Sequence, residues 1–495
     1  MLAFILLYVQ PYRNNKAYDF KMFIKKGCIM DSTVLNNGKV STDNMYIPFI
    51  GLLFLTIILS VFVTADPLKA EQMNDNQKES FVLPAESITI GDLVKYAYEN
   101  NPSITEAREN WRAAIEDVRV TEGYPDPQLK FNYFIDPIET RLGPQDWNAT
   151  LTQKIPFPGR LSKAGEVASA DSEIAKLQFD KSIRDVIVTI RESFYELYYI
   201  RNAKIIVQKN EKLLNHMRKI SETEYAQNKA ILLDVVKAQS QIAQLKYDAL
   251  LLDDLEITEI TKLNGLLDRY PDDPIGSIVV DEPRPIIFSL NEIYEMAKEY
   301  QQEINMAKVG IKRAEANASY SRKKNYPDFS IGLFYAGIGD PDVENPPDDA
   351  GRDALGISAG ISIPLWGGRN NSRVNKALAN KRKSEASHRR LINETQTKIR
   401  ANYFKLKNAD RLVRLYGEEM IPQSERSMEM AETWFREGES SFSDFIEAQS
   451  VFYNFHLTFI RAKADYGKYL AKIERLVGKS LTHEDESSIE ENGEG

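Results

Sequence analysis

The chain has 495 residues, a formal net charge of −9, one cysteine, four histidines, 25 glycines and 21 prolines. Fractions of 43% hydrophobic and 27% charged residues belong to a folded chain and exclude global disorder and fibrous repeats. A lone cysteine excludes a disulfide framework, the scattered His216, His388, His456 and His483 have no metal-binding spacing, and the acidic balance argues against a nucleic-acid partner.

The first feature along the chain is an almost wholly apolar run, Ile47 to Val63, which ends in Val63-Thr64-Ala65. The run is short for a membrane span, and small residues at its end suit signal peptidase. Residues 1–65 are therefore expected to be a leader with an export signal rather than an anchor, with the natural start at Met22, Met30 or Met45. Cleavage after Ala65 would remove Cys28. Residues 1–65 carry six Lys/Arg and three Asp/Glu, so the mature net charge would be about −12 (−9 minus 3). Residues 66–87 are expected to be a linker.

Two units of about 200 residues follow, 88–268 and 288–480, joined by a proline-rich segment, 269–287. Four matches recur in order: Tyr124-Pro125-Asp126 with Tyr326-Pro327-Asp328, Ile155-Pro156…Gly159-Arg160 with Ile363-Pro364…Gly368-Arg369, Asp234…Ala238-Gln239-Ser240 with Asp444…Ala448-Gln449-Ser450, and Leu263-x-Gly265 with Leu476-x-Gly478. Such ordered self-similarity signals duplication.

Each unit opens with a helical pattern, Thr89–Gly123 and Ser289–Asn325. Two segments of period-two alternation come next, which is the strand period. In the first unit Leu129, Phe131, Tyr133 and Ile135 alternate with Lys130 and Asn132, and Trp147, Ala149, Leu151 and Ile155 alternate with polar residues. In the second, Phe329–Tyr335 and Leu355–Ile363 repeat the pattern with Gly and Ser between. Apolar residues facing a small or polar set characterise membrane barrel strands; the other reading is a half-buried strand of a soluble sheet.

Proline is absent between Pro158 and Pro271, so helix is free to run. Heptad spacing of Ile183, Ile190 and Leu197, then Ile200, Val207 and Leu214, predicts a packed seam. A helix over Leu161–Gln227 would span about 100 Å. After a break at Asn228-Lys229-Ala230, a shorter helix, Ile231–Leu267, returns. The helix from Ser289 would continue in the same direction, so two short helices match one long one. The second unit repeats the plan, with its tip at Glu437-Gly438-Glu439 and a kink expected at Pro422. Four strands cannot enclose a lumen, and an open edge in lipid leaves backbone groups unpaired, so several copies must share one barrel. The acidic run from residue 481 to 495 is expected to be a disordered tail.

This ordered set resembles the TolC-like outer-membrane efflux proteins over residues 88–480. The resemblance implies a mainly α fold with a small β part: a duplicated helix–strand–strand–helix–helix unit, and a homotrimer that forms a twelve-stranded outer-membrane β-barrel continued by a long periplasmic α-helical barrel. It implies docking of the helical tips, here Asn228, Lys229, Ala230, Glu437, Gly438 and Glu439, on a periplasmic adaptor (membrane fusion) protein. The adaptor would bridge to an inner-membrane RND or ABC pump. The Pro-Phe-Pro-Gly-Arg form leans towards the heavy-metal branch. A type I protein-secretion duct and a periplasmic coiled-coil scaffold are the alternatives.

The same resemblance puts Asp444 and Glu447 in a ring of carboxylates at the tunnel entrance, where they would attract cations. Asp234 is the equivalent in the first unit. Asp444 also suits the positive start of the returning helix, and both roles stay open. Two departures bear on how the entrance closes: the family's tip tyrosine is Phe435 here, and a basic residue after the tip glycine is Ser440. Arg436 is the available substitute. Met420, Met428 and Met430 are expected to pack rather than relay a soft metal. The acidic loop from Asp340 to Asp349 is expected to be solvated, with a calcium site as the other reading. No P-loop, dinucleotide fingerprint, HExxH or GxSxG motif occurs, so neither catalysis nor a cofactor is expected.

Overall fold

The computed structural model describes residues 83–84, 86–227, 231–280 and 284–482. The expected leader, the tip residues Asn228, Lys229 and Ala230, and the tail beyond residue 482 lie outside the described residues.

The first half runs β1 (Ser87–Ile88), α1 (Ile90–Asn100), α2 (Pro102–Glu122), β2 (Gln128–Thr140), β3 (Gly143–Ile155), α3 (Arg160–Ala226) and α4 (Leu232–Leu266). The second runs β4 (Ser277–Ile278), α5 (Leu290–Tyr300), α6 (Gln302–Lys323), β5 (Asp328–Ile338), β6 (Ala354–Ser362), α7 (Gly367–Arg414), α8 (Ile421–Glu437) and α9 (Phe442–Val477). A π-helical turn, Leu415–Met420, joins α7 to α8.

Each opening helix is broken, where the sequence pattern suggested one continuous helix. Pro102 has no N–H to donate, so the chain restarts there with Pro at the first helical position. Asn101 caps the new helix by accepting from Ser103 N (2.9 Å) and Ile104 N (3.2 Å), while its amide donates to the Leu266 carbonyl (2.7 Å). Gln301 does the same work in the second half, accepting from Ile304 N at 2.7 Å. The effect of Pro422 also takes a specific form. Proline cannot bond to the preceding turn, and the helix widens into the π-helical turn just before it.

The heptad residues are the core of the long helix. Ile190, Leu197, Ile200, Val207 and Leu214 are all buried. Around them α3 packs along α2, α4, α6 and α9. Its 67 residues reach about 100 Å. Two equivalent cores form, one on Leu93, Ala97, Ile190 and Leu197, the other on Ile293, Ala297, Ile399 and Leu406. The join over 269–287 contains order that composition did not reveal, since Ser277–Ile278 pairs in parallel with Ser87–Ile88.

The four long strands form one antiparallel sheet in the order β2-β3-β5-β6. Registers such as Leu129↔Leu151, Leu151↔Leu333 and Leu333↔Ile357 put odd-numbered residues on one face. That face is apolar and open: Phe131 is 62% exposed and Ile357 83%. The even-numbered face carries Asn132, Asn148, Thr150, Thr152, Gly332, Ser358 and Gly360. β2 and β6 are the sheet's edges, and Pro137 with a register shift sits on an edge strand, where a missing donor is tolerated. Among the described residues no helix is long and apolar enough to cross a membrane.

Candidate functional site: the helical tips and the strand-to-helix clasp

The helical end opposite the sheet is held by one apolar cluster shared by both halves. Val207, Leu214 and Met217 of α3 and Ala238, Ile242 and Leu245 of α4 meet Phe435 of α8 and Phe442 and Phe445 of α9. The three rings lie 5.3 to 6.5 Å apart. Phe435 is therefore a core residue, anchored by ring packing rather than by a hydroxyl.

The second tip turns at Gly438, whose φ of +78° is a left-handed value that strains any residue with a Cβ. Gly438 N donates to Phe435 O (3.1 Å), and Glu439 N donates to Trp434 O (2.8 Å). The returning helix opens with a capping box. Asp444 N donates to Ser441 Oγ (3.2 Å), while Ser441 N and Oγ donate to the Asp444 carboxylate (3.0 and 2.8 Å). These bonds from the Ser441 hydroxyl and N–H hold the Asp444 carboxyl below its ordinary value. The structure thus shows Asp444 at work in the helix start, one of its two expected roles.

Glu447 sits three residues on, exposed, and lines a groove between α4 and α9 with Lys237, Ser240, Ser443 and Asn454. Lys237 donates to Ser443 Oγ at 2.6 Å across it. Asp234 lies half-buried in the first turn of α4. Arg436 is exposed, with Glu432 of its own helix 3.8 Å away. The Ser440 hydroxyl is buried without a hydrogen-bond partner. Glu437 and Glu439 are exposed at the turn. Of the three methionines of α8 and the turn before it, Met430 is 50% exposed and Met420 and Met428 are half-buried. In the acidic loop Asp349 pairs with Arg141 (3.1 Å). Among the described residues no group of three His, Cys, Asp or Glu is placed to hold a metal ion.

Two features escaped sequence reasoning. One is a line of ion pairs between α3 and α9: Glu196 with Arg461 and Lys468, Glu192 with Lys472, Arg191 with Glu474, and Asp185 with Arg475, which also holds Glu303 of α6. Burial pushes the Asp185 carboxyl up, but hydrogen bonds from Arg475 and Lys181 outweigh it and leave it below the ordinary value. The partners lie hundreds of residues apart, so no local pattern announces them.

The other is the use of the repeated motifs. Arg160, at the exit of β3, pairs with Asp328, at the entry of β5, and also donates to the Tyr326 carbonyl (3.0 Å). Phe157 N donates to Asp328 Oδ1 (3.2 Å), and the Phe157 ring stacks on Tyr326 at 4.5 Å. The motif of one half thus clasps the motif of the other.

Residues 293–479 match the family model described as outer membrane efflux protein. The fold is similar to that of the outer membrane protein VceC of Vibrio cholerae, at 15% identity and a TM-score of 0.66, over 79% of this chain and 96% of that one. It is equally similar to the outer-membrane channel OprN (16% identity, TM-score 0.67, 80% and 91% covered) and to CusC (14%, 0.67, 79% and 92%). Among curated proteins no sequence matches. Residues 293–479 thus match the outer membrane efflux protein model, and the chain has the fold of these outer-membrane proteins. That family and those structures are channels, not enzymes.

Proposed function

We propose that this chain is the outer-membrane exit duct of a tripartite efflux system. A periplasmic adaptor and an inner-membrane RND or ABC pump would hand it metal cations or small toxic compounds. Each half, 88–268 and 288–480, is one copy of a duplicated unit, and three chains share one barrel.

The observation that carries this reading is the two-faced sheet with two open edges at the start of helices about 100 Å long. An apolar face of this extent needs lipid or a partner. In lipid the free N–H and C=O groups of β2 and β6 need strands beside them. With four antiparallel strands per chain, β6 of one copy runs antiparallel to β2 of the next, so a ring of copies closes without a mismatch. The polar face then lines the lumen. A type I secretion duct would use the same architecture, whereas a coiled-coil scaffold leaves the sheet unexplained.

Asp444 and Glu447, exposed on one face of α9, are assigned to the tunnel entrance, with Asp234 beside them in the first half. The tips around Asn228, Lys229, Ala230, Glu437, Gly438 and Glu439 are assigned to the adaptor.

Membrane fractionation tests the reading. The protein should sediment with the outer membrane and run as an oligomer that collapses to monomer on heating. A water-soluble monomer would contradict it.

A further inference from the structure

The clasp between Arg160 and Asp328 has an unused twin. Arg369 follows β6 as Arg160 follows β3, and Asp126 precedes β2 as Asp328 opens β5. In the first pair both side chains are nearly buried, at 14% and 11% exposure. In the second pair both residues are exposed, and neither has an ion pair among the described residues. Trp366 and Tyr124 echo Phe157 and Tyr326; they are 73% and 68% exposed, while the first rings are stacked.

The surroundings are complementary in charge. Arg369 shares a cleft with Arg160, Lys324, Arg373 and Asp328, so Asp328 is the cleft's one carboxylate and Arg160 already holds it. Arg373 donates to Lys324 O and Asn325 Oδ1. The Asp126 end carries Glu122 and Asp126.

Resting on the shared-barrel reading above, we propose that adjacent copies of this chain are joined by a second clasp, Arg369 of one copy to the partner's Asp126, with Trp366 against the partner's Tyr124. The in-chain joint supplies the register. Ile155 faces Phe329, and their counterparts are Ile363 and Pro127. Ile363 then faces the partner's Pro127, Ile361 the partner's Leu129, and Ser358 the partner's Asn132. Odd residues meet odd ones, so the apolar and polar faces continue unbroken across the joint. A slip of one residue would exchange the faces.

The test uses the full-length protein in outer-membrane extracts, with native mass measured first. Arg369→Asp and Asp126→Arg should each lower the temperature at which trimers dissociate by roughly 5 °C, and the double exchange should restore at least half of the loss. Independently, Ser358→Cys with Asn132→Cys, in a Cys28→Ser background, should give covalent dimer and trimer bands on oxidation. Facing strand residues lie about 4.5–5.5 Å apart, within disulfide reach. Within one chain β2 and β6 are three strand spacings apart, about 14 Å along the sheet, too far to bridge. Ile357→Cys with Asn132→Cys, on opposite faces, should give no bands. Trimers that show neither rescue nor bands would overturn the clasp and leave the duct standing. A wild-type chain that forms no oligomer would overturn both.

Discussion

The two tips of the helical body carry the same acidic residue at the same offset and use it differently. At the second tip Ser441 caps α9, and Asp444 answers with a capping box. At the first tip the cap position of α4 is Ile231, which has no side-chain oxygen, and the Asp234 N–H bonds only to the Ile231 carbonyl at 3.0 Å. Both carboxylates stand in the first turn of a returning helix, but their local bonding differs. One residue, serine against isoleucine, decides whether the carboxylate is held or left to face its surroundings.

The largest effect is expected at the aromatic cluster both tips share. Phe445 is fully buried there. Phe445→Ala should cost about 3–5 kcal/mol and speed hydrogen exchange at both tips together; faster exchange confined to α9 would mean that the tips are independent. Gly438→Ala acts on the second tip alone. Its φ of +78° should make the change cost roughly 1–2 kcal/mol, visible as faster proteolysis at the turn. The sharpest pair is Ser441→Ala with Ile231→Ser. The first should destabilise α9 by about 1 kcal/mol, and the second should stabilise α4 by up to a similar amount. Equal and null effects in chemical denaturation would erase the distinction between the tips.

Acid gives the smallest effect. Asp444 and Asp185 are both held below the ordinary carboxylate value in the folded chain. Their contribution is complete above the unfolded value of about 4 and is lost as pH falls through the lower folded values. Helix content followed by circular dichroism should therefore stay level down to about pH 4 and decline only below it.

What was legible in the sequence was whatever repeats at short period or in fixed order. Alternation at Leu129–Ile135 and Leu355–Ile363 set strand faces, because one face is apolar and the other small or polar. Heptads from Ile183 to Leu214 marked the seam of α3, because that stripe is buried from Ile190 onward. Contacts between distant segments were not legible. Asp328 and Arg160 each looked like a repeat signature, yet their purpose is to meet each other. The Asp185–Arg475–Glu303 cluster joins three helices from both halves. The pairing of Ser87–Ile88 with Ser277–Ile278 is too short to leave a period. Pro102 was a visible break signal that the surrounding helical pattern masked.

The proposed oligomer encloses a pore. Reconstitution of the purified oligomer into planar bilayers tests it most directly. The expected result is discrete, cation-preferring conductance steps whose selectivity falls when Asp444→Ala and Glu447→Ala are combined. A folded oligomer that inserts but never conducts would contradict it.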